Sequence, residues 1–106
     1  MTMSTEARRQ AILGEIAALG PVIPGSIVER TTRCQRQGCH CRADPPVLHG
    51  PYPTWLRTVA GRPVTRTLTS DQAELLRPLI RANRRLRHLV RELEALGVGD
   101  AEALLS

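Results

Sequence analysis

Residues 33–52, RCQRQGCHCRADPPVLHGPY, decide how the middle of the chain can fold. This stretch holds all three cysteines of the chain and two of its three histidines, while Val47 and Leu48 are its only large aliphatic residues. A segment so poor in core-forming side chains cannot be ordered by hydrophobic packing alone. It needs another source of order, or it stays unfolded.

The spacing of cysteine and histidine in this stretch is typical of a metal site. Cys34, Cys39 and Cys41 are followed by His49 after a spacer that contains two prolines. Three thiols are an odd number for disulfides in a reducing compartment, and three thiolates with one imidazole suit a closed, tetrahedral Zn²⁺ site. We therefore predict a structural zinc ion held by Cys34, Cys39, Cys41 and a fourth ligand.

The fourth ligand has three candidates. His49 is favoured because the prolines can turn the chain back toward the cysteines, whereas His40 lies between two cysteines and is expected to point away from a shared ion. Asp44 is the third candidate. Three unrelated thiols, or a redox or nucleophilic cysteine, are the alternative interpretations, and no CxxC motif or Cys/His/Asn order supports the last of these.

The rest of the chain predicts an α+β fold in a single domain. A core without phenylalanine, built from Leu, Ile, Val and Ala, favours helix packing around a short antiparallel sheet. The predicted elements are a helix over residues 5–19, a strand over 26–33, the zinc loop and a β-hairpin within 22–69, a long helix over 70–97 that Gly97 ends, and a tail over 98–106.

The hairpin TWLRTVAGRPVTRTL, residues 54–68, predicts a two-residue turn at Gly61 and Arg62. This register places Val59 opposite Val64, Arg57 opposite Arg66 and Trp55 opposite Leu68. Two arginines that face each other destabilise a sheet unless an anion lies between them.

The long helix carries a seam of leucines with the 3.5-residue period of a coiled coil. Such a seam needs a partner helix, either the N-terminal helix of the same chain or the same helix of a second copy, and we expect a homodimer. The seam consists of Leu75, Leu79, Ala82, Leu86, Leu89, Leu93 and Leu96.

The net charge of +5 is carried by arginine alone, and its excess is local. Residues 30–66 hold seven arginines and a single acid, Asp44. Guanidinium groups suit phosphates and guanine edges, so we predict nucleic-acid binding, with DNA favoured over RNA. On the long helix, a solvated face balanced by acids is the alternative interpretation. The candidate nucleic-acid contacts are Arg33, Arg36, Arg42, Arg57, Arg62, Arg66, Arg77, Arg81 and Arg84.

Several of these motifs together resemble a family of small, uncharacterised bacterial proteins. The shared features are a G-S-[IL]-V-E-R start at Gly25–Arg30, the C-x4-C-x-C cluster at Cys34–Cys41, an H-G-P-Y element at His49–Tyr52 and a V-x-G-[KR]-x-V-[TS]-R hairpin at Val59–Arg66. The resemblance covers residues 13–96. It implies membership of a domain family of unknown function, often encoded beside mobile-element genes, and no activity.

The sequence favours a binding protein over an enzyme. It has no paired acids, no Ser/His/Asp set and no phosphate-cradling glycine loop, and a closed zinc site leaves no open metal position. The second functional hypothesis is a protein-interaction subunit of a larger complex, such as mobile-element or regulatory machinery. We expect a cytoplasmic protein with no membrane partner and no small-molecule substrate, because Glu15 interrupts the apolar N-terminal run and no stretch approaches the roughly 20 apolar residues of a membrane span.

Overall fold

The computed structural model describes residues 3–34 and 36–106 of the chain. The three strands form one antiparallel sheet in the order β1–β2–β3. The predicted α+β class is confirmed, with an N-terminal helix, a short antiparallel sheet and a long C-terminal helix. The elements are α1 (Thr5–Ala17), β1 (Ser26–Thr32), a 3-10 turn (His40–Arg42), β2 (His49–Val59), β3 (Arg62–Thr67) and α2 (Ser70–Leu105).

The chain forms two compact units. The helical unit consists of the chain up to Ile23 together with Leu79–Ser106, and the sheet unit consists of Pro24–Pro78. α2 therefore contributes its first turns to the sheet unit and its remaining length to the helical unit.

α1 begins and ends where its flanking residues require. The Ser4 hydroxyl accepts a hydrogen bond from the Ala7 N–H at 3.1 Å, which caps the first turn. At the other end Gly20 adopts a φ of 72°, a left-handed conformation that favours glycine, and Pro21 follows. The helix ends at Ala17, slightly before the predicted end at residue 19.

α1 and α2 are antiparallel within the helical unit. Three ion pairs connect them: Arg8 with Glu92, Arg9 with Asp100, and Glu15 with Arg85. Arg8 and Arg9, near the start of α1, pair with acids in the later part of α2, whereas Glu15, near the end of α1, pairs with Arg85, which lies closer to the start of α2.

The core of the helical unit contains part of the predicted leucine seam. Ile12 of α1 and Leu89 of α2 are fully buried. Because the seam residue Leu89 is buried within a single chain, α1 covers part of the seam without a second copy. The seam residues Leu79, Ala82, Leu86, Leu93 and Leu96 are half-buried, whereas Leu75, which belongs to the sheet unit, is 72% exposed.

α2 continues to Leu105, so the prediction that it ends at Gly97 is wrong. A glycine inside a helix costs only about 1 kcal/mol, and residues 100–105 are mostly strong helix formers. The ion pair between Arg9 and Asp100 also holds this segment against α1. Neither α1 nor α2 has a stretch that is long and apolar enough to cross a bilayer, and these are the two α-helices of the described residues.

The β2–β3 hairpin has a different register from the predicted one. Val59 pairs with Arg62, so Ala60 and Gly61 form the turn, with φ values of 52° and 77°. Two positive φ values define a type I′ turn, which matches the twist of the strands. Arg57 consequently lies opposite Val64, and the predicted pairing of Arg57 with Arg66 is wrong.

Pro63 explains the observed register. In the predicted register Pro63 would belong to the pair that closes the turn, where a backbone N–H has to donate across the ladder. In the observed register it pairs with Thr58, one step further along. Its missing N–H then faces the open edge of β3, where no strand needs it.

Candidate metal centre

The ligand atoms of Cys34, Cys39, Cys41 and His49 all lie within 4.8 Å of one another. Cys34 follows the end of β1, Cys39 precedes the 3-10 turn, Cys41 lies within that turn and His49 is the first residue of β2. The strand register contributes directly, because His49 pairs with Thr32 and so starts β2 beside the end of β1. Three loop thiols and one strand imidazole therefore converge.

Distances between these side chains fit a shared ion. The Sγ atoms of Cys34 and Cys41 are 3.5 Å apart, and the Sγ atom of Cys39 is 3.2 Å from Nε2 of His49. With Zn–S bonds near 2.3 Å and Zn–N bonds near 2.0 Å, the ligand atoms of a tetrahedral site are separated by about 3.5–3.8 Å. The donor set and its spacing therefore fit a closed four-ligand site.

The cluster contains His49 and excludes the other two candidates for the fourth ligand. His40 is exposed, and its Nδ1 lies 3.9 Å from the Sγ atom of Cys39. Its ring centroid is 5.0 Å from that of His49. Asp44 is exposed and does not belong to the group of converging ligand atoms.

Hydrogen bonding and charge favour the thiolate form of Cys41. The side chain is fully buried, which by itself would raise the pKa of its thiol. The backbone N–H of Cys34, 3.4 Å from its Sγ atom, holds the pKa of the Cys41 thiol below its ordinary value, and the positive charge of Arg42 acts in the same direction. A lower pKa favours the deprotonated form that binds metal ions.

Arg42, a candidate nucleic-acid contact, has a structural role in this loop. Its Nε and Nη2 donate to the carbonyl oxygen of Cys34 at 3.0 and 2.6 Å. These two hydrogen bonds connect Arg42, which follows Cys41, to the backbone of Cys34 and close the loop around the cluster. A hydrogen bond to a backbone beside a ligand orients that ligand, as outer-shell contacts do in metal sites generally.

Gly50, which directly follows His49, is required by the backbone. Its φ is 108°, and a Cβ atom at this position would lie 2.9 Å from the carbonyl oxygen of Arg30. Gly25 is equally constrained, because its φ is 101° and a Cβ atom there would lie 2.1 Å from the carbonyl oxygen of Leu56. Both glycines belong to the sequence motifs noted above, and both allow β2 to approach its neighbours closely.

The thiols are free cysteines, and a paired Cys39 and His49 alone would also suit a nucleophile with its base. Two further thiols lie in the same cluster, however, and the three cysteines are not unrelated in space. Metal binding is the chemistry that uses all four side chains.

The candidate arginines fall into two groups. Besides Arg42, two are engaged within the chain: Arg57 lies over the ring of Trp55, with its guanidinium carbon 4.0 Å from the ring centroid, and Arg77 pairs with Glu74 at 3.1 Å. Arg30, which is not among the arginines predicted from sequence, is also exposed and pairs with Tyr52 across the sheet. The exposed candidates are Arg33, Arg36, Arg42, Arg62, Arg66, Arg81 and Arg84.

A family model for a domain of unknown function (DUF6788) matches residues 4–77. The match includes α1, the whole sheet and all four residues of the cluster. It differs in extent from the resemblance over residues 13–96, because it begins earlier and leaves out most of α2. No curated protein and no solved structure matches the chain.

Proposed function

Because the chain belongs to the DUF6788 family, a domain family of unknown function, we propose a function from its own residues: it is a zinc-stabilised module that binds duplex DNA. The observation that carries the proposal is the convergence of Cys34, Cys39, Cys41 and His49 around the loop between β1 and β2, whose three arginines are all exposed. We propose no catalysis. Free thiols of this kind are consistent with a reducing compartment, such as the cytoplasm.

Zinc is the metal that this donor set favours. Three thiolates and one imidazole in a closed cluster are the ligands of structural zinc, and no open position is left for a substrate. The ion would order a loop that has almost no apolar core of its own. Its role in the proposal is to fix the backbone from which the arginines project.

The arginines nearest the cluster form the proposed DNA surface, which we call the zinc-end arginines: Arg30, Arg33, Arg36 and Arg42. Among the described residues, none of them has a carboxylate within 4.0 Å. Guanidinium groups without acidic partners repel one another. Phosphates reduce this repulsion, because guanidinium groups bind them in a bidentate manner.

Arg62 lies at the opposite end of the hairpin, because it pairs with Val59 whereas His49 marks the zinc end of β2. A strand rises about 3.4 Å per residue, so the length of β2 separates the two ends by roughly 30 Å. Arg62 therefore serves as a matched control, because its removal changes net charge equally without touching the zinc end.

The experiment measures binding of the zinc-loaded protein to a short duplex between 50 and 200 mM salt. Four phosphate contacts predict a slope of log K against log salt of about −3 to −4, and replacing either Arg33 or Arg36 by Gln should reduce its magnitude by about 1. Arg62→Gln should leave the slope nearly unchanged. Binding that does not respond to salt, or an equal loss for Arg62→Gln and for each zinc-end variant, would contradict the proposal. Single-stranded DNA and duplex RNA are measured alongside.

A homodimer through α2 stays a prediction. α1 covers part of the leucine seam, but Val90 is 40% exposed in a shallow groove along α2 that Leu86, Arg87, Arg91 and Glu94 also line. Opposite charges in this groove would allow two copies to pair in antiparallel orientation. Sedimentation across a concentration range, with Val90→Glu as the disrupting variant, tests this prediction.

A further inference from the structure

A small cavity of about 180 Å³ lies in the sheet unit, between the strands and the first turns of α2. Its walls are mostly apolar. Leu75 is 72% exposed although it lines the cavity, whereas Leu68, which lies between β3 and α2, is only 6% exposed. A large aliphatic side chain exposed at the rim of an apolar cavity marks an interaction site more often than an isolated surface leucine does. The lining residues are Trp55, Arg66, Leu68, Gln72, Leu75 and Leu76.

Two guanidinium groups lie on the sheet face that carries Trp55. Trp55 pairs with Arg66 and Arg57 pairs with Val64, so the two arginines are diagonal neighbours on one face of the sheet. Within the described part of the chain, neither arginine has a carboxylate within 4.0 Å. The Nη1 atom of Arg57 is buried and has no hydrogen-bond acceptor there, which is a costly arrangement for a charged group.

We propose that this cavity, together with Arg57 and Arg66, is a docking site for an acidic and hydrophobic segment of a partner protein. A leucine-sized side chain of the partner enters the cavity and packs against Trp55 and Leu75. A neighbouring carboxylate of the partner accepts hydrogen bonds from the exposed Arg66 guanidinium, and its negative charge also attracts the guanidinium of the half-buried Arg57. This site is separate from the zinc-end arginines, so the chain would connect a protein partner to DNA.

The walls favour an apolar side chain over an unpaired nucleobase. The edges of a base carry several donors and acceptors, and burying them without partners is unfavourable. Among the lining residues, only Arg66 and Gln72 could form hydrogen bonds with the edges of a base. The Gln72 Oε1 already accepts a hydrogen bond from the Thr69 N–H at 2.9 Å. The volume is also well below the ~300–1,000 Å³ of pockets for drug-sized ligands, which suits a single inserted side chain.

Trp55 is the only tryptophan of the chain and therefore reports directly on the cavity. The probe is a capped synthetic peptide in which two leucines are flanked by two aspartates and two glutamates. We expect a saturable change in Trp55 fluorescence when this peptide is added to the zinc-loaded protein. Replacing its leucines by alanines, or its acids by amides, should each weaken binding roughly tenfold.

Variants of the protein separate the cavity from the rest of the surface. Leu75→Ala, at a position that is largely exposed, should preserve the fold and weaken peptide binding roughly tenfold. Leu104→Ala, in the same helix and 86% exposed, is the matched control and should change nothing. Arg66→Gln should weaken binding, whereas Arg62→Gln on the same strand should not.

Three results would overturn the proposal. The first is the absence of any saturable response to the acidic leucine peptide. The second is an equal loss of affinity in Leu75→Ala and Leu104→Ala. The third is a response to oligothymidylate, but not to the peptide, that Leu75→Ala abolishes, since the cavity would then hold a base. Leu75→Ala should bind duplex DNA as tightly as the parent protein does. The proposed docking site and the proposed DNA surface can therefore be rejected independently of each other.

Discussion

The Sγ atom of Cys39 lies 3.2 Å from Nε2 of His49, although ten positions separate the two residues in the chain. The contact exists because His49 starts β2 at the point where its pairing with Thr32 places it beside the end of β1. The antiparallel sheet thus supplies one metal ligand at a fixed position, and the irregular loop supplies the other three. Any metal held here would join the loop to the sheet.

Replacing His49 should release the metal, and replacing its neighbour His40 should not. We expect His49→Ala to lower the melting temperature of the zinc-loaded protein by more than about 10 °C, because structural zinc contributes a large part of the folding free energy of small domains. Metal content by mass spectrometry and thermal unfolding by circular dichroism check this. His40→Ala should retain one zinc ion per chain. Equal metal loss in both variants would show that His49 is not the fourth ligand.

Arg42 should matter for metal affinity, although it is not a ligand. Its guanidinium donates two hydrogen bonds to the Cys34 carbonyl, so Arg42→Ala should weaken zinc binding by about 10–100-fold, the range found for outer-shell partners of metal ligands. Competition with a chromogenic chelator measures the affinity. Arg36→Ala removes the same charge from the same loop and should keep parental affinity. If both variants weaken zinc binding equally, the loss of positive charge is responsible and not the loss of the two hydrogen bonds to Cys34.

The cluster of three cysteines and His49 could be predicted from the sequence because its signal is local. Cysteines at positions 34, 39 and 41 and a histidine after a proline-containing spacer restrict the ligands to a few choices, and the absence of aliphatic residues indicates what the loop needs. The strand at Ser26–Thr32 and the start of α2 were predictable for a similar reason, since composition and capping residues mark them within a few positions.

Features that depend on distant residues were not predictable in the same way. Gly61 fits either central position of a two-residue turn, and Pro63 decides between them only when the ladder hydrogen bonds are considered. α2 passes Gly97 because Asp100 pairs with Arg9, more than ninety positions away. The cavity beside Trp55 requires a sheet face and the first turns of α2 together, and no periodic pattern indicates it.

Gly25 and Gly50 should be the least replaceable glycines. Each has a positive φ and backbone atoms where a Cβ would lie, so we expect Gly25→Ala and Gly50→Ala each to cost at least about 1–3 kcal/mol in the free energy of unfolding. Urea denaturation measures the change. Gly14→Ala is the control, because this α1 glycine has open space around it and a helical φ, and alanine there should stabilise by about 0.5–1 kcal/mol. Tolerance of alanine at Gly25 would contradict the close approach to Leu56.

Glu92 should make the helical unit sensitive to acid. Its hydrogen bond with Arg8, assisted by His88, holds the pKa of the Glu92 carboxyl below its ordinary value. A carboxyl whose pKa is lower in the folded state stabilises the fold above its unfolded-state pKa, and this stabilisation is lost as the pH falls through the folded-state value. Melting temperatures from pH 7 down to pH 3 should therefore fall more steeply for the parent protein than for Glu92→Gln, which starts lower and lacks the titrating group.

The control for this acid effect is Glu102→Gln, at an exposed position of α2 without an ion-pair partner among the described residues. This variant should follow the parent curve, because a carboxyl free in solvent titrates similarly in the folded and unfolded chain. Protonation of the cysteine and histidine ligands would also release a metal ion at low pH, so the comparison is made on metal-loaded and chelator-treated protein. If the curves of the parent and Glu92→Gln remain parallel in both preparations, the Arg8–Glu92 pair does not contribute to acid sensitivity.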